Sequence, residues 1–295
     1  MDLFVSDAPW QRSAQKVSVF QLYGAYLEHA PQDQVDKIVK DLKKRHIAIA
    51  VEAGVINMPS AAKPSCGGVG VEGYATTARA TAISEKIKKA GGVISYIAMD
   101  EPLWFGRYYK GAPGKPPGCR LAIEELIDLT MPVLKVYLDE FPSVQIGDIE
   151  PSGVAYQPGW QDDLVQWLAG YRVRLGRSVS FVHLDVPFSA GNQAVVAALR
   201  FYNQLLELKA TGSISTIGII YNGLPRDVTD QAWVDSAKSH ISFFEDKHNM
   251  RPSHAIIQSW TKSPTRTLPE TASDTLTGLA LHYIDRLNQA SIRER

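Results

Sequence analysis

Residues 93–102 read VISYIAMDEP, and this stretch decides the fold. An apolar run with the composition of a buried strand leads directly into Asp100, Glu101 and Pro102. The same arrangement recurs at residues 144–151 (VQIGDIEP) and at residues 181–185 (FVHLD). The strands of a parallel α/β barrel all end at one face, so acids at their ends converge in one pocket. The pattern predicts such a barrel, with a carboxylate-rich site at its mouth.

Seven segments have the composition of short buried strands, and helical patterns separate them. The strands are predicted at residues 17–23, 47–52, 93–99, 144–149, 179–185, 216–221 and 255–260. The helices are predicted at residues 32–45, 76–90, 122–140, 161–175, 190–211, 230–248 and 275–289. This alternation is typical of parallel strands joined by crossover helices. We therefore expect an α/β fold, a (β/α)8 TIM barrel that forms a single domain over residues 1–295.

The first strand of this barrel is the least certain element in the sequence pattern. An eight-stranded barrel needs a strand before residue 17, and residues 3–6 (LFVS) are the only candidate. The first strand is therefore expected to be short or truncated. An open doubly wound sheet is the alternative, but no G-x-G-x-x-G phosphate loop follows the first strand.

Composition limits the choice of partners. The chain has 295 residues with 31 basic and 31 acidic side chains, so no net field favours nucleic acid or an anionic membrane. We therefore expect a substrate that is neutral or recognised locally. No apolar run approaches the ~20 residues of a membrane span, and Met1-Asp2-Leu3 does not resemble a secretory signal. No cofactor motif is present, and we expect neither a cofactor nor a bound metal.

The two cysteines, Cys66 and Cys119, lie in Gly/Pro-rich stretches that follow two adjacent predicted strands. Both loops are expected on the face where the strands end. A disulfide between them would imply an oxidising compartment, whereas two free thiols are equally compatible with the spacing. A disulfide favours a periplasmic or secreted location over a cytoplasmic one.

The acids at the strand ends are the main functional signal. Asp100 and Glu101 end the fourth strand, and Asp148 and Glu150, two residues apart, share one face of the fifth. Neighbouring strands lie ~4.8 Å apart, so Glu101 and Glu150 are expected to approach within the ~5–10 Å used for glycosidic cleavage. Each of these acids taken alone is explained more simply as a cap of its strand end than as a catalytic group. Four adjacent acids would repel one another, and such crowding raises the pKa of one carboxyl into the range of a general acid.

Aromatic and polar residues follow the same strand ends. Aromatic faces beside carboxylates suit a sugar, because its C–H faces stack on rings while its hydroxyls need hydrogen-bond partners. The residues expected to bind a carbohydrate substrate are Trp260, Tyr221, Asn222, Trp104, Tyr23, Asp185, Glu52 and Gln258.

The sequence DEP at the fourth strand resembles the NEP of clan A glycoside hydrolases, in which the Glu is the acid/base. Trp260 after the eighth strand is similar to the Trp that these enzymes place under the sugar. The resemblance implies a (β/α)8 barrel and a retaining mechanism with Glu101 as acid/base. Two positions depart from the family pattern. The nucleophile of the clan ends strand seven, where this chain has Tyr221-Asn222, and Asp100 replaces the Asn before the acid/base.

Three functions remain open. In the first, the protein is a glycosidase for a neutral oligo- or polysaccharide, with Glu101 as general acid, Glu150 as base or nucleophile, and Asp100 and Asp148 tuning their pKa values. In the second, it is a metal-dependent sugar isomerase or epimerase with ligands from Glu52, Glu150, His183 and Asp185. In the third, it is a carbohydrate-binding barrel without catalysis.

Overall fold

The computed structural model describes residues 1–57, 66–68 and 70–293, and its centre is a curved sheet of seven parallel strands. Each strand pairs with the next one in the chain. The strands are β1 Val19–Tyr23, β2 Ala48–Ala53, β3 Ile94–Asp100, β4 Gln145–Pro151, β5 Phe181–Asp185, β6 Thr216–Tyr221 and β7 His254–Ile257. The predicted α/β class and the seven predicted strands are confirmed.

Helices follow the strands and cover the outer face of the sheet. They are α1 Gln11–Ala14, α2 Gly24–His29, α3 Gln32–Lys44, α4 Thr77–Lys89, α5 Ile123–Glu140, α6 Trp160–Leu175, α7 Asn192–Ala210, α8 Asp230–Ser242 and α9 Leu276–Arg293. In α3 the predicted apolar stripe is buried, as expected of an amphipathic helix. Helices α1 and α2 and the paired two-residue strands Ile56–Asn57 and Tyr74–Ala75 were not predicted, because they are too short to show periodicity.

Both faces of the sheet are buried. The outer face packs against the helices, and a small inner cluster of Ala98, Ile149, Phe181 and Ile220 fills the concave side. Space on the concave side is tight, since a Cβ atom added to Gly147 would lie 2.1 Å from the Phe181 ring. Strands with two apolar faces read as continuous hydrophobic runs, which explains why their positions were clear in the sequence.

The predicted strand at residues 3–6 is wrong. Asp2–Phe4 forms a 3-10 helix, and the Phe4 ring packs edge-on against Phe20 at a centroid distance of 5.2 Å. Among the described residues no backbone pairing joins β1 to β7, so a complete eight-stranded barrel is not formed. Side chains bring these two strands together instead. Gln21 Nε2 in β1 donates to Gln258 Oε1, just after β7, at 3.2 Å.

The segment after β7 returns to the N-terminal part of the chain. The Glu270 carboxylate accepts hydrogen bonds from the backbone N–H groups of Arg12 and Ser13, at 3.0 and 2.8 Å. These residues belong to α1, so the two ends of the sheet are connected through buried polar contacts. No helix in the described parts of the chain combines the length and apolarity needed to cross a membrane.

A disulfide joins Cys66 to Cys119, with Cα atoms 4.9 Å apart. It connects the loop after β2 to the loop after β3. The backbone N–H of Gly67 donates to Pro117 O at 2.7 Å beside it. Of the two alternatives for the cysteines, the bonded pair is therefore confirmed.

Candidate active site

A cleft of about 1060 Å³ opens at the carboxyl ends of the strands. Residues at or just after the end of every strand line this cleft. Six of the strands, or the loops that follow them, contribute polar side chains, whereas β4 contributes Ile149 and Pro151. The carboxyl groups that line the cleft come from Glu28, Glu52, Glu72, Asp100, Glu101 and Asp185. Trp104, Trp260, Tyr23, Asn222 and Gln258 also line it.

Glu101 stands at a sharp corner where β3 ends. Its φ of +50° lies in the left-handed region, which is unfavourable for a residue with a side chain. Its backbone N–H donates to Ile149 O at 3.1 Å, and its carbonyl accepts from Phe105 N at 2.9 Å. Backbone strain of this kind, held by surrounding contacts, concentrates at functional sites. The corner turns the side chain of Glu101 into the cleft.

Glu101 and Asp185 form a hydrogen-bonded carboxyl pair on neighbouring parts of the cleft floor. Burial and the negative charges of Asp185 and Asp100 hold the pKa of Glu101 well above its usual range. Burial also raises the pKa of Asp185, to about 6, although its hydrogen bond with Glu101 acts in the opposite direction. Because the charge of Asp185 raises the pKa of Glu101 while the hydrogen bond with Glu101 lowers that of Asp185, Glu101 is the member of the pair that holds the shared proton and donates it to Asp185. One carboxyl is an acid and the other a base.

Glu52 lies beside this pair and is held by two amides. Gln21 Nε2 and Gln258 Nε2 both donate to Glu52 Oε2, at 2.5 and 3.0 Å. Burial and the charge of Asp185 raise the pKa of Glu52 to about 7, against the lowering effect of the amides. Burial and the charge of Glu52 likewise raise the pKa of Asp100 well above its usual range.

Glu150 and Asp148 do not line the cleft as expected, although the charge of Glu150 contributes to the raised pKa of Glu101. Both side chains are fully buried on the outer face of β4. Glu150 accepts the backbone N–H groups of Leu103 and Trp104, at 2.7 and 3.0 Å. Asp148 accepts from Trp167 Nε1 in α6 at 2.8 Å, and burial raises its pKa to about 8. The alternation of the strand places Ile149, between them, in the cleft.

Two further predicted residues lie elsewhere. The hydroxyl of Tyr221 points to the outer face of the sheet and donates to the buried carboxylate of Glu245 at 2.7 Å. His183 is buried on the concave side below the cleft, where its Nε2 lies 3.0 Å from His254 Nδ1. With Glu150 on the opposite face, the predicted metal ligands do not meet. The described residues contain no group of three or more His, Cys, Asp or Glu side chains placed to hold a metal ion.

The predicted aromatic residues of the cleft are partly exposed. The Trp260 side chain is 47% exposed, which is high for an indole on a folded protein and leaves its surface open to a ligand. The hydroxyl of Tyr23 accepts from Gln258 Nε2 at 3.0 Å and so belongs to the same polar network as Glu52. Trp104 follows the Glu101 corner. These side chains, with Asn222, are brought together as predicted.

Sequence reasoning missed three charged residues of the cleft. Glu72 lies in the Gly-rich loop that follows Cys66, and Arg79 forms an ion pair with Glu28 at 3.0 Å. The signal for Glu72 was present, because it is the one acid in the stretch between Cys66 and the next predicted helix. Glu28 and Arg79 lie on helices without any pattern that distinguishes them from solvated surface.

Several known structures resemble this chain at low similarity. No known family model and no curated protein matches the sequence. BuGH86 in complex with neoagarooctaose is 14% identical over 84% of this chain and 49% of that chain, with a TM-score of 0.49. A family 1 β-glucosidase from Thermotoga maritima is 14% identical over 86% and 76%, with a TM-score of 0.46. D-psicose 3-epimerase is 10% identical over 92% and 90%, with a TM-score of 0.43. The chain spans about half the length of the first of these, and the three likenesses do not decide between glycosidase and epimerase.

Proposed function

We propose that the protein is a glycoside hydrolase that cleaves an oligo- or polysaccharide, with Glu101 as general acid and Asp185 as the second carboxylate. The observation that carries this proposal is the hydrogen-bonded pair of Glu101 and Asp185 on the cleft floor, in which the charge of Asp185 raises the pKa of Glu101. Two carboxyl groups with pKa values driven apart by their surroundings are the requirement of glycosidic cleavage.

In this mechanism Glu101 protonates the oxygen of the leaving sugar, while Asp185 acts on the anomeric carbon. Inverting enzymes keep their carboxyl groups ~6.5–9.5 Å apart to admit a water, and retaining enzymes ~5–5.5 Å apart. Two carboxyl groups in hydrogen-bond contact are closer than either spacing, so they must separate for the glycosidic bond to enter between them. Because the contact is nearer to the retaining spacing, we propose retention, with Asp185 as nucleophile and Glu101 returning as base to activate the water that releases the sugar. Trp260 and Trp104 offer aromatic faces to the sugar rings.

The rest of the cleft supports the pair. Asp100 and Glu52 raise the pKa of their neighbours by charge, and Gln258 and Tyr23 offer an amide and a hydroxyl to the substrate. We interpret the seven strands as a single-domain barrel of the (β/α)8 type that lacks its first strand. The disulfide supports a periplasmic or secreted location.

The test is a pair of isosteric substitutions. Glu101→Gln and Asp185→Asn are each expected to lower kcat on a cleaved glycan by at least about 10³-fold, since each removes one half of the acid/base pair. Asp139→Asn, an exposed carboxylate paired with Lys135 on α5, is the control and should retain full activity. Circular dichroism checks that all variants fold. Near-normal turnover by either cleft variant contradicts the proposal.

A carbohydrate-binding barrel without catalysis is the second candidate. Asn222, and no acid, lines the cleft after β6, the position where clan A glycosidases carry their nucleophile. This candidate expects the wild-type protein to bind an oligosaccharide and to release no product after prolonged incubation. If the wild type forms product and the Glu101→Gln variant does not, the protein is an enzyme and not only a binding protein.

A further inference from the structure

Two loops of the cleft are held from behind by one histidine. Phe188, in the loop after β5, and Asn222, in the loop after β6, both line the cleft. The ring of His240 in α8 stacks on the ring of Phe188, with centroids 3.4 Å apart and planes 1° apart. The Nδ1 atom of the same imidazole lies 2.7 Å from Asn222 O. His240 does not itself belong to the lining, so it supports the cleft without entering it.

The hydrogen bond fixes the orientation of the imidazole. A carbonyl oxygen only accepts, so Nδ1 of His240 carries the hydrogen and donates it to Asn222 O. The loop that contains this carbonyl is packed directly on α8, because a Cβ atom added to Gly223 would lie 2.5 Å from the ring of Trp233. Trp233 is fully buried and stands seven residues before His240, on the same face of α8. The plane of the His240 ring is therefore set by the helix and the loop together.

Phe188 is held against this fixed imidazole. Its ring also lies 5.7 Å from the ring of Phe244, which is fully buried just after the end of α8. Aromatic side chains lose little conformational freedom when their neighbours already hold them, so the ring of Phe188 is preorganised. His240 covers one face of this ring, and the ring contributes to the cleft lining with its remaining surface.

The position of Phe188 in the sequence matches that of Trp104. Each member of the carboxyl pair is followed, three residues later, by an aromatic side chain that lines the cleft. Trp104 follows Glu101 after β3, and Phe188 follows Asp185 after β5. In the sheet β4 separates these two strands, so the two aromatic side chains approach the pair from different sides. A glycosidic bond joins two sugar rings, and each ring has C–H faces that can pack on an aromatic side chain.

We propose that Phe188 binds a sugar ring beside Asp185 and that His240 is the positioning residue that holds Phe188 in place. The inference rests on the proposed function for the identity of the ligand as a carbohydrate. His240 acts through Phe188 and makes no contact with the sugar. The sequence analysis assigned no role to either residue, because Phe188 lies in a loop and His240 on a helix that shows only a core-facing pattern.

Three neutral oligosaccharides, cellohexaose, xylohexaose and mannohexaose, are the probes. Their Kd values are measured by calorimetry with Glu101→Gln protein, so that the sugar stays intact. Phe188→Ala is expected to raise the Kd of a bound sugar by about 5-fold or more, because the stacking surface is lost. His240→Ala should raise it by about the same factor. His240→Phe keeps a flat ring against Phe188 without the N–H donor, and it should bring the Kd back to within about 2-fold of the parent protein.

A double variant separates positioning from a general loss of structure. In a Phe188→Ala background, His240→Ala should cause no further loss of affinity, because its effect passes through Phe188. Ser239→Ala is the matched control: this exposed neighbour on α8 donates only to Asp235 O, at 2.8 Å, and its removal should leave the Kd unchanged. Circular dichroism and urea denaturation check the fold of each variant. Phe188 lies in a loop, so its comparison remains even where His240→Ala is unstable.

Kinetics give a second measurement in protein that retains Glu101. Phe188→Ala and His240→Ala should raise KM and leave kcat within about 2-fold, since neither residue transfers a proton. An unchanged Kd in Phe188→Ala, an equal loss from His240→Ala in both backgrounds, or no binding of any of the three sugars overturns the inference. Glu101→Gln that still cleaves a glycan refutes the glycosidase proposal, whereas the binding comparison between the variants is unaffected by that result.

Discussion

Glu150 determines the position of Glu101 without entering the cleft. Its two carboxylate oxygens accept the N–H groups of Leu103 and Trp104, the residues that follow the left-handed corner at Glu101. A carboxylate that accepts backbone N–H groups in this way holds a turn as a cap holds a helix end. The acid predicted to be a base in the reaction is thus a support for the general acid.

Removing that support is expected to cost stability. Glu150→Ala leaves one buried and one partly buried N–H donor unsatisfied, and we expect the free energy of unfolding to fall by about 1–3 kcal/mol. Urea denaturation measures the loss. The pH profile of the residual activity should keep the shape of the wild-type profile, because Glu150 transfers no proton to or from the substrate. Loss of one limb of that profile with unchanged stability would show that Glu150 is catalytic.

The pKa values of the pair predict the pH dependence of the reaction. Activity requires ionised Asp185 and protonated Glu101, so kcat/KM should rise with an apparent midpoint near pH 6 and fall again at higher pH. The negative charge of Glu72 helps to raise the pKa of Asp185. Glu72→Gln is therefore expected to move the acidic limb to lower pH. A profile that is flat between pH 5 and pH 8, or a shift in the opposite direction, contradicts the assignment.

At the scale of elements, strand and helix positions could be predicted because burial on both sides of each strand produces clear apolar runs. The face of each acid could not. With apolar contacts inside and outside the sheet, alternate residues of β4 look alike in the sequence, and a shift of one position exchanges the faces. Packing determines which side chains of β4 face the cleft. Gly147 and Ile149 fit the narrow concave side against Phe181, and this fit directs Asp148 and Glu150 outward.

The same limit explains the other errors. Tyr221 ends a correctly predicted strand, but its side chain belongs to the outer face with Glu245. Glu52, Asp100 and Asp185 were predicted in the cleft because each ends a strand, and the structure brings all three to the lining. The sequence therefore predicts that residues at the strand ends come together at one cleft. The direction in which each of their side chains points depends on packing and could not be predicted.

The disulfide joins two loops that each contribute to the lining of the cleft. Cys66 stands at the start of the Gly-rich loop that carries Glu72, and Cys119 ends the loop that begins at Trp104. The cysteines are 53 residues apart, and closing a loop of this size is worth about 2–4 kcal/mol. We expect the Cys66→Ser/Cys119→Ser double variant to unfold at lower urea concentration and to show a higher KM than the wild type.

Reduction supplies the matching control for this element. Dithiothreitol should lower the stability of the wild type towards that of the double variant and should leave the double variant unchanged. A double variant with wild-type stability and KM would mean that neighbouring contacts, such as the hydrogen bond from Gly67 N to Pro117 O, hold the two loops together by themselves.

At the scale of the whole molecule, buried acids and buried histidines oppose each other in their dependence on pH. Burial raises the pKa of Glu52 to about 7, so the folded state binds a proton more tightly than the unfolded one, and this term makes the fold less stable as pH rises from about 4.5 to 7. Burial lowers the pKa of His183 to about 3, which destabilises the fold as pH falls below about 6.5. The sum of these terms flattens the stability profile of the wild type.

A difference between two proteins isolates the acid term, because the histidine terms cancel. Glu52→Gln removes a carboxylate whose ionisation costs stability, while its amide oxygen still accepts from Gln21 and Gln258. We expect the variant to be more stable than the wild type at pH 8, by on the order of 1–3 kcal/mol, and equal to it near pH 4.5. Urea denaturation of both proteins from pH 4.5 to 8 gives the difference. A gain that is constant across this range would mean that ionisation of Glu52 does not affect stability, and a loss at pH 8 would mean that the cleft stabilises Glu52 in its charged form.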